Sequence, residues 1–318
     1  MNKLIRGILY ITAGCLGIGI AALILSHALG GNFKLEDEPV LEKAKKAAHD
    51  IVADAHNQVS SHHNNSTERA ESEDDYEVTY TDMIESEGEV GLLAIDASAV
   101  SQLQIDLHHG SLSVEESDDS CIRVFADEAY DGISAVCESD KIIIQDNRSG
   151  RQGREDVMIY LEIPESIRFQ TVEIRADAGV LETDCMLKAD KLTVDADAGE
   201  ILLSEVKADS FAASVGAGTV DIEDGVFETV NLECGVGTIE VEASITGDAQ
   251  LECGMGTIDL ELDGKAEDYN YVLNCGAGSI EIEGHDYTGL AKERRIENGA
   301  SSTFKLNCGM GTICIEES

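Results

Sequence analysis

Tryptophan is absent from this chain, proline occurs twice in 318 residues, and aromatic residues make up only 4%. Clefts that bind sugars usually offer aromatic platforms, so this scarcity argues against a polysaccharide-active enzyme. Basic residues are also few: 22 Lys+Arg stand against 63 Asp+Glu, a formal net charge of −41. Such a polyanion is repelled by nucleic acid and by anionic lipid, which leaves metal ions, cationic peptides and basic protein surfaces as partners. Thirty glycines in a chain so poor in proline imply turns at regular places rather than disordered low complexity. Catalytic signatures are missing as well. No G-x-S-x-G occurs, and the recurring G-x-G lacks the third glycine and following helix of a phosphate cradle.

Long apolar runs are confined to one place. From Gly7 to Gly30 there is no Asp, Glu, Lys or Arg and only His27 titrates near neutral pH, and these 24 residues, as helix, would span roughly 36 Å against a hydrocarbon core of about 30 Å. Lys3 and Arg6 precede the run and acidic residues dominate after Lys34. The positive-inside rule therefore places the N-terminus in the cytoplasm and the rest outside the cell. The expectation is a retained single-pass anchor in residues 1–30, with its transmembrane helix at about 7–29. A cleaved signal peptide ending at Ala28 and a lipoprotein-type Cys15 are the alternatives. The length of the run weighs against the first, and its continuation past Cys15 against the second. Residues 31–89 read as a linker. Its first part, 35–58, places Val40, Leu41, Ala44, Ala48, Ile51, Val52 and Ala55 at helical spacing. The stretch "SSHHNNSTERAESEDD" then loses periodicity, and His56, His62 and His63 read as solvated spacer rather than a metal site.

The chain then repeats itself. "LECGVGTIEVE" at 232–242 returns as "LECGMGTIDLE" at 251–261, "LNCGAGSIEIE" at 273–283 and "LNCGMGTICIE" at 306–316. The corner glycines are Gly179, Gly199, Gly218, Gly237, Gly256, Gly278 and Gly311, spaced by 20, 19, 19, 19, 22 and 33 residues, with Asp in place of the first glycine in the first two units. Mostly apolar residues stand five and seven before this glycine and two and four after it, with Thr183 an exception, and polar or acidic residues lie between. Each unit thus reads as two short alternating strands joined at a G-x-G corner where the alternation slips by one. One unit cannot bury its apolar face alone, whereas stacked units share a core. The expected fold is all-β: a β-solenoid ectodomain of about 19-residue rungs over residues 90–318.

Three residues before the corner glycine stand Ala176, Ala196, Val215, Cys234, Cys253, Cys275 and Cys308. This inward position takes small apolar residues, and a buried cysteine behaves as one. Cys234, Cys253, Cys275 and Cys308 are therefore expected to form a packing ladder beside the corner glycines Gly218, Gly237, Gly256, Gly278 and Gly311.

The unit L-x-x-x-x-G-x-[TS]-[IV]-x-[IVL], the strand "MIYLEIPES" at 158–166 and the N-terminal anchor together resemble the bacterial "putative adhesin" β-strand-repeat family, a domain of unknown function. The resemblance covers about 90–318. It implies the solenoid fold, a place at the cell envelope and, through relatives that accompany envelope stress systems, a link to that response. It supplies no catalytic residues.

The surface with character is acidic. Asp221, Glu240, Asp259 and Glu281 stand three residues after the corner glycine, and Glu223, Glu242, Glu261 and Glu283 five after it. In register they would make two carboxylate columns, either a solvated face or a collector of cations. No cofactor is expected beyond weakly held Ca²⁺, and no catalytic residue is assigned. Two basic loops, 147–154 and 291–295, are further candidate contact points. The reading is a non-enzymatic adhesin-like binding or scaffolding protein, bound to the membrane by its N-terminal helix. Envelope proteins or cationic peptides, not nucleic acid, are the expected partners. The alternatives are an accessory regulator of envelope stress acting through a membrane partner and a self-assembling filament, the latter because the last repeat runs to Ser318 with no evident cap.

Overall fold

The computed structural model describes residues 90–127, 131–148, 157–289 and 293–318. The membrane anchor and the linker expected within 1–89 lie outside these residues. Apart from two single 3₁₀ turns, Ala97–Ala99 and Ala266–Asp268, the described secondary structure is strand.

Seven strands build one end of the molecule: β1 (Val90–Asp96), β2 (Gln102–Leu107), β3 (Ser111–Ser117), β4 (Cys121–Ala126), β5 (Ile133–Glu138), β6 (Lys141–Asp146) and β7 (Met158–Pro164). The regular body follows with β8 (Phe169–Ala176), β9 (Val180–Ala196), β10 (Glu200–Val215), β11 (Thr219–Cys234), β12 (Thr238–Ile245), β13 (Ala249–Cys253) and β14 (Thr257–Leu262). The other end is made of β15 (Tyr269–Cys275), β16 (Ser279–Ile282), β17 (His285–Thr288), β18 (Arg294–Ile296), β19 (Ser302–Cys308) and β20 (Thr312–Glu317).

The expected alternation is present. Leu251 and Cys253 point inward, Met255 points out, and Ile258, Leu260 and Leu262 point inward again, so the phase slips at the corner. Successive rungs pair in parallel. Leu232 stands opposite Leu251, Ile239 opposite Ile258, and Val220 opposite both Ile201 and Ile239. The result is a solenoid-like stack with one continuous core of Leu, Ile, Val and Phe. Burying each such side chain stabilises the fold by roughly 1.5–3 kcal/mol. One detail departs from expectation. The strands β9, β10 and β11 are each long and unbroken, running from one corner to the next, with register shifts near Leu203/Glu205 and Ile222/Gly225 in place of a turn. Two short strands per unit describes only the later rungs, where Thr246–Asp248 separates β12 from β13.

Glycine at the corner answers to close approach, not to backbone handedness, since none of these corner glycines has positive φ. A Cβ on Gly256 would lie 2.5 Å from the Cys234 sulfur, and one on Gly311 2.6 Å from the Cys253 sulfur. Each would also press on the carbonyl of the neighbouring corner glycine.

The order of stacking is not the order of the sequence. β13 and β14 pair not with β15 and β16 but with β19 and β20, and these in turn pair with β15 and β16. The last repeat is therefore inserted between the two before it. The other end uses the same device: β2 and β3 lie between β6 and β7 on one side and β8 and β9 on the other. At both ends the outermost rung is covered by antiparallel strands. β5 pairs with β6, and β4 with β7 and β1; at the far end β17 pairs with β16, and β18 with β15. The bare terminal repeat that suggested a filament is thus an interior rung, and the true edge carries a hairpin-like cover of the kind that blocks edge-to-edge association.

Candidate cation-binding face

Two outward columns follow the corner. Asp221 stands opposite Glu240, and Glu240 opposite Asp259, so three carboxylates occupy successive rungs about 4.8 Å apart. The inserted rung then intervenes. Asp259 faces Cys314, and Cys314 faces Glu281, which puts Glu281 two rungs from Asp259 rather than beside it. In the second column Glu242 pairs with Glu261 and Glu261 with Glu316.

Two expected members leave this column. Glu223 falls in the register shift between Ile222 and Gly225. Glu283 turns away at φ 49°, and its Oε1 accepts the Glu317 amide at 2.6 Å. The structure thus brings Asp221, Glu240, Asp259, Glu242 and Glu261 together and separates Glu223, Glu281 and Glu283 from them. Cys314 and Glu316 join the columns unforeseen, although the repeat frame places them three and five residues after Gly311.

Burial and repulsion act together on the central carboxylate. Desolvation of Glu240, then Asp221 and Asp259 on either side, push it up to about 7 from the ordinary 4.5. Asp259 is raised by burial and by Glu316 and Glu261. The Cys314 thiol is pushed up to about 12, first by burial and then by Asp259, Glu316 and Glu281. The first half of the body is built differently, with basic residues crossing its rungs. Arg168 bridges Asp190 at 2.7 Å and Asp209 at 2.8 Å, Arg175 reaches Asp195 at 3.4 Å, and Lys141 reaches Glu173 at 3.5 Å. Residues 208–264, by contrast, hold 13 Asp+Glu and no Lys or Arg. Among the described residues no three His, Cys, Asp or Glu side chains converge closely enough to hold a metal ion. The columns offer a line of charge on an open face, suited to a diffuse cation layer or an extended cationic chain rather than to chelation.

The cysteines occupy the inward position foreseen for them. Cys234 pairs with Cys253, Cys253 with Cys308 and Cys308 with Cys275, all four buried. Each thiol donates to the carbonyl of its own corner glycine at 3.1–3.2 Å. The Cys253 thiol is pushed up to about 11, first by its hydrogen-bonded neighbour Cys234 and then by burial. Burial likewise raises Cys275. These are packing residues that also satisfy corner carbonyls.

The basic loops fare unequally. Arg148 is no contact point: it is buried in a two-pronged pair with buried Asp146, Nε to Oδ1 at 2.9 Å and Nη2 to Oδ2 at 2.8 Å. Residues 149–154 lie outside the described residues. In the second loop Arg294 stacks over Tyr287 at 4.6 Å, and Arg295 pairs with Glu293 at 2.8 Å.

Residues 56–305 match the family described as Toastrack DUF4097. Among solved structures, the chain is similar to a putative adhesin from Bacteroides fragilis at 16% identity, covering 72% of this chain and 98% of that one, with a TM-score of 0.39. A putative adhesin from Parabacteroides merdae is 12% identical, with 73% and 97% covered and a TM-score of 0.36. A putative lipid binding protein from Parabacteroides distasonis is also 12% identical, with 73% and 97% covered and a TM-score of 0.35. No curated protein matches the chain.

Proposed function

The chain belongs to the Toastrack DUF4097 family, and from that premise we propose that it is a non-enzymatic binding or scaffolding module whose carboxylate columns engage cationic partners. One observation carries the reading: Glu240 stands between Asp221 and Asp259 on adjacent rungs and is pushed to about 7 by burial and by those neighbours. The part of this shift that comes from Asp221 and Asp259 is like-charge repulsion, which a cation settling beside the column relieves as a proton does. The carboxylates stand in a line on a flat face, a geometry that fits recognition of charge better than acid–base work on a held substrate. In this reading the apolar run near the N-terminus holds the solenoid at the outer face of the cell membrane, with the N-terminus inside.

The test uses the full chain and two probes, Ca²⁺ and a peptide of alternating lysine and serine, in ~150 mM NaCl so that simple screening is already present. Binding of either probe should raise the melting temperature by mass action. The triple change Asp221→Asn, Glu240→Gln, Asp259→Asn should remove that increment. If neither probe shifts the melting temperature beyond matched ionic strength, the columns are a solvated face and the reading fails.

A further inference from the structure

The G-x-G corner carries one outward side chain per rung. In stacking order these are Ala178, Ala198, Ala217, Val236, Met255, Met310 and Ala277, the first two following Asp rather than Gly. Their succession is fixed by backbone bonds: Val236 to Gly216 at 2.7 Å, Met255 to Gly235 at 2.7 Å, Met310 to Gly254 at 2.7 Å and Ala277 to Gly309 at 2.8 Å. Val236, Met255 and Met310 are 43%, 46% and 64% exposed, so half of the six exposed large hydrophobics among the described residues lie side by side on one edge. The inserted C-terminal rung is what brings Met310 next to Met255.

The flanks of this apolar ridge are acidic. On the wall before the corner, Glu233 stands opposite Glu252, and Glu252 opposite Asn307. On the wall after it comes a hydroxyl column of Thr238, Thr257 and Thr312, and beyond that Asp221, Glu240 and Asp259. The nearest cation on the first wall is Lys305, opposite Gln250 and one side-chain position further from the corner. Small residues occupy the ridge elsewhere, and the three large apolar ones stand on consecutive rungs, two of which carry Glu240 and Asp259. An exposed apolar strip bordered by charge of one sign marks a recognition surface. Methionine suits such a surface because its unbranched thioether chain adapts to varied shapes.

We infer that the Val236–Met255–Met310 ridge and its acidic flanks form a docking surface for a cationic amphipathic peptide, whose apolar side chains cover the ridge while its Lys or Arg residues meet the carboxylates on both walls. Charge complementarity selects this occupant. A second copy of the chain would bring the same carboxylates face to face, and an anionic lipid surface would be repelled. The inference rests on the cationic-partner reading above and adds to it the apolar component that a simple cation lacks.

Two peptides of equal charge separate the two ideas: the lysine–serine peptide and a lysine–leucine counterpart, each measured against the full chain at ~0.15 and ~0.5 M NaCl. The apolar peptide should bind at least about ten-fold more tightly, an increment that covering only about 60 Å² of apolar surface would supply. That increment should persist at the higher salt and vanish in the Val236→Thr, Met255→Gln, Met310→Gln variant, with binding of the lysine–serine peptide unchanged. Met310→Gln alone, at the most exposed position, provides the same readout if the triple variant is unstable. Equal affinity for the two peptides overturns the ridge and leaves the acidic face standing. Loss of both overturns both. A chain that self-associates until the ridge is changed makes a second copy the occupant, and that also overturns the inference.

Discussion

Asp259 and Cys314 face each other across the β14–β20 pair, so a thiol interrupts the line of carboxylates that begins at Asp221. The interruption matters because the neighbours of Cys314 are acidic on both sides, with Glu281 on the next rung. Two like charges about 5 Å apart repel by roughly 0.8 kcal/mol in water and several-fold more beside low-dielectric protein. A neutral thiol there spares the column two such contacts. Cys314→Asp should therefore lower the melting temperature at pH 8 and low salt. Added salt or acidification to about pH 5 should restore most of the loss, because both weaken the repulsion. Cys314→Ser should show no salt or pH dependence beyond that of the parent. Thermal melts of the two variants across salt and pH check this.

Glu240 gives the protein a pH dependence of definite sign. Its folded pKa of about 7 lies above the ordinary 4.5, so the native state holds the proton more tightly than the unfolded chain. Its contribution to stability is then complete below about 4.5 and is lost as pH rises through 7. Allowing for solvent screening of a half-buried group, the loss should be about 1 kcal/mol. Glu240→Gln should remove this slope and raise stability at pH 8. Urea unfolding of both proteins between pH 5 and 8 is the measurement, and parallel slopes would count against the buried, crowded position of Glu240.

The corner glycines predict a steric penalty with an internal control. Gly256→Ala would set a methyl group 2.5 Å from the Cys234 sulfur and against a backbone carbonyl that cannot yield without moving its strand. Overpacking of this kind costs about 1–3 kcal/mol. Gly91→Ala meets nothing within 4 Å and should be nearly neutral. Chain entropy favours alanine at both positions, so similar losses at both would show that the close contacts at Gly256 do not decide the outcome.

Within the described residues, the corner, the inward small-residue position and the slip in alternation were legible in the sequence because each depends on residues only a few positions apart. Leu251, Cys253, Ile258 and Leu260 declare their faces within one unit. The order of the rungs was not legible. The edges of the Cys253, Cys275 and Cys308 units are so alike that sequential stacking satisfies the local pattern as well as the observed insertion does. The one local trace was the 33-residue gap before Gly311, which supplies β17 and β18. The columns were misjudged for the same reason: Glu281 was assigned to a neighbour it does not have, and Cys314 and Glu316 were passed over. Arg148 misled in another way. Its loop reads as basic surface, yet Asp146 two residues earlier draws it into the interior.

The cysteine ladder sets a prediction about reactivity and one about substitution. Cys234, Cys253, Cys275 and Cys308 are at most 4% exposed, and native protein should leave all four unalkylated under conditions that label them fully after denaturation. Because the Cys253 thiol donates to the Gly256 carbonyl at 3.1 Å, a serine hydroxyl would find the same acceptor. Cys253→Ser should then cost about 1 kcal/mol, near the lower end of the range for burying a polar group. Cys253→Val loses the donor and adds a branch beside Gly311, and should cost more. A reversed order would mean that the carbonyl bond contributes nothing.

The covered ends predict what happens when a cover is removed. β17 and β18 occupy the free edges of β16 and β15, and they come from residues 284–300, an insertion absent from the shorter units. Replacing residues 284–298 by the three-residue Thr246–Asp248 connection would leave the core rungs intact and expose the backbone donors and acceptors of two parallel strands. Exposed, regular edges of this kind template pairing with another chain. The parallel rungs would be the preferred site, because an incoming strand there continues the stack without changing its register. The acidic columns oppose such growth, since every added rung extends a line of like charge, so association should be weak at low ionic strength and strengthen as salt is raised. Sedimentation velocity of the shortened chain across salt concentration tests both parts. Salt-dependent oligomers in the shortened chain, but not in the parent, identify β17 and β18 as the cover that keeps the stack finite. A shortened chain that stays monomeric even at high salt, where the carboxylate repulsion is screened, would show that β17 and β18 are not what keeps the stack finite.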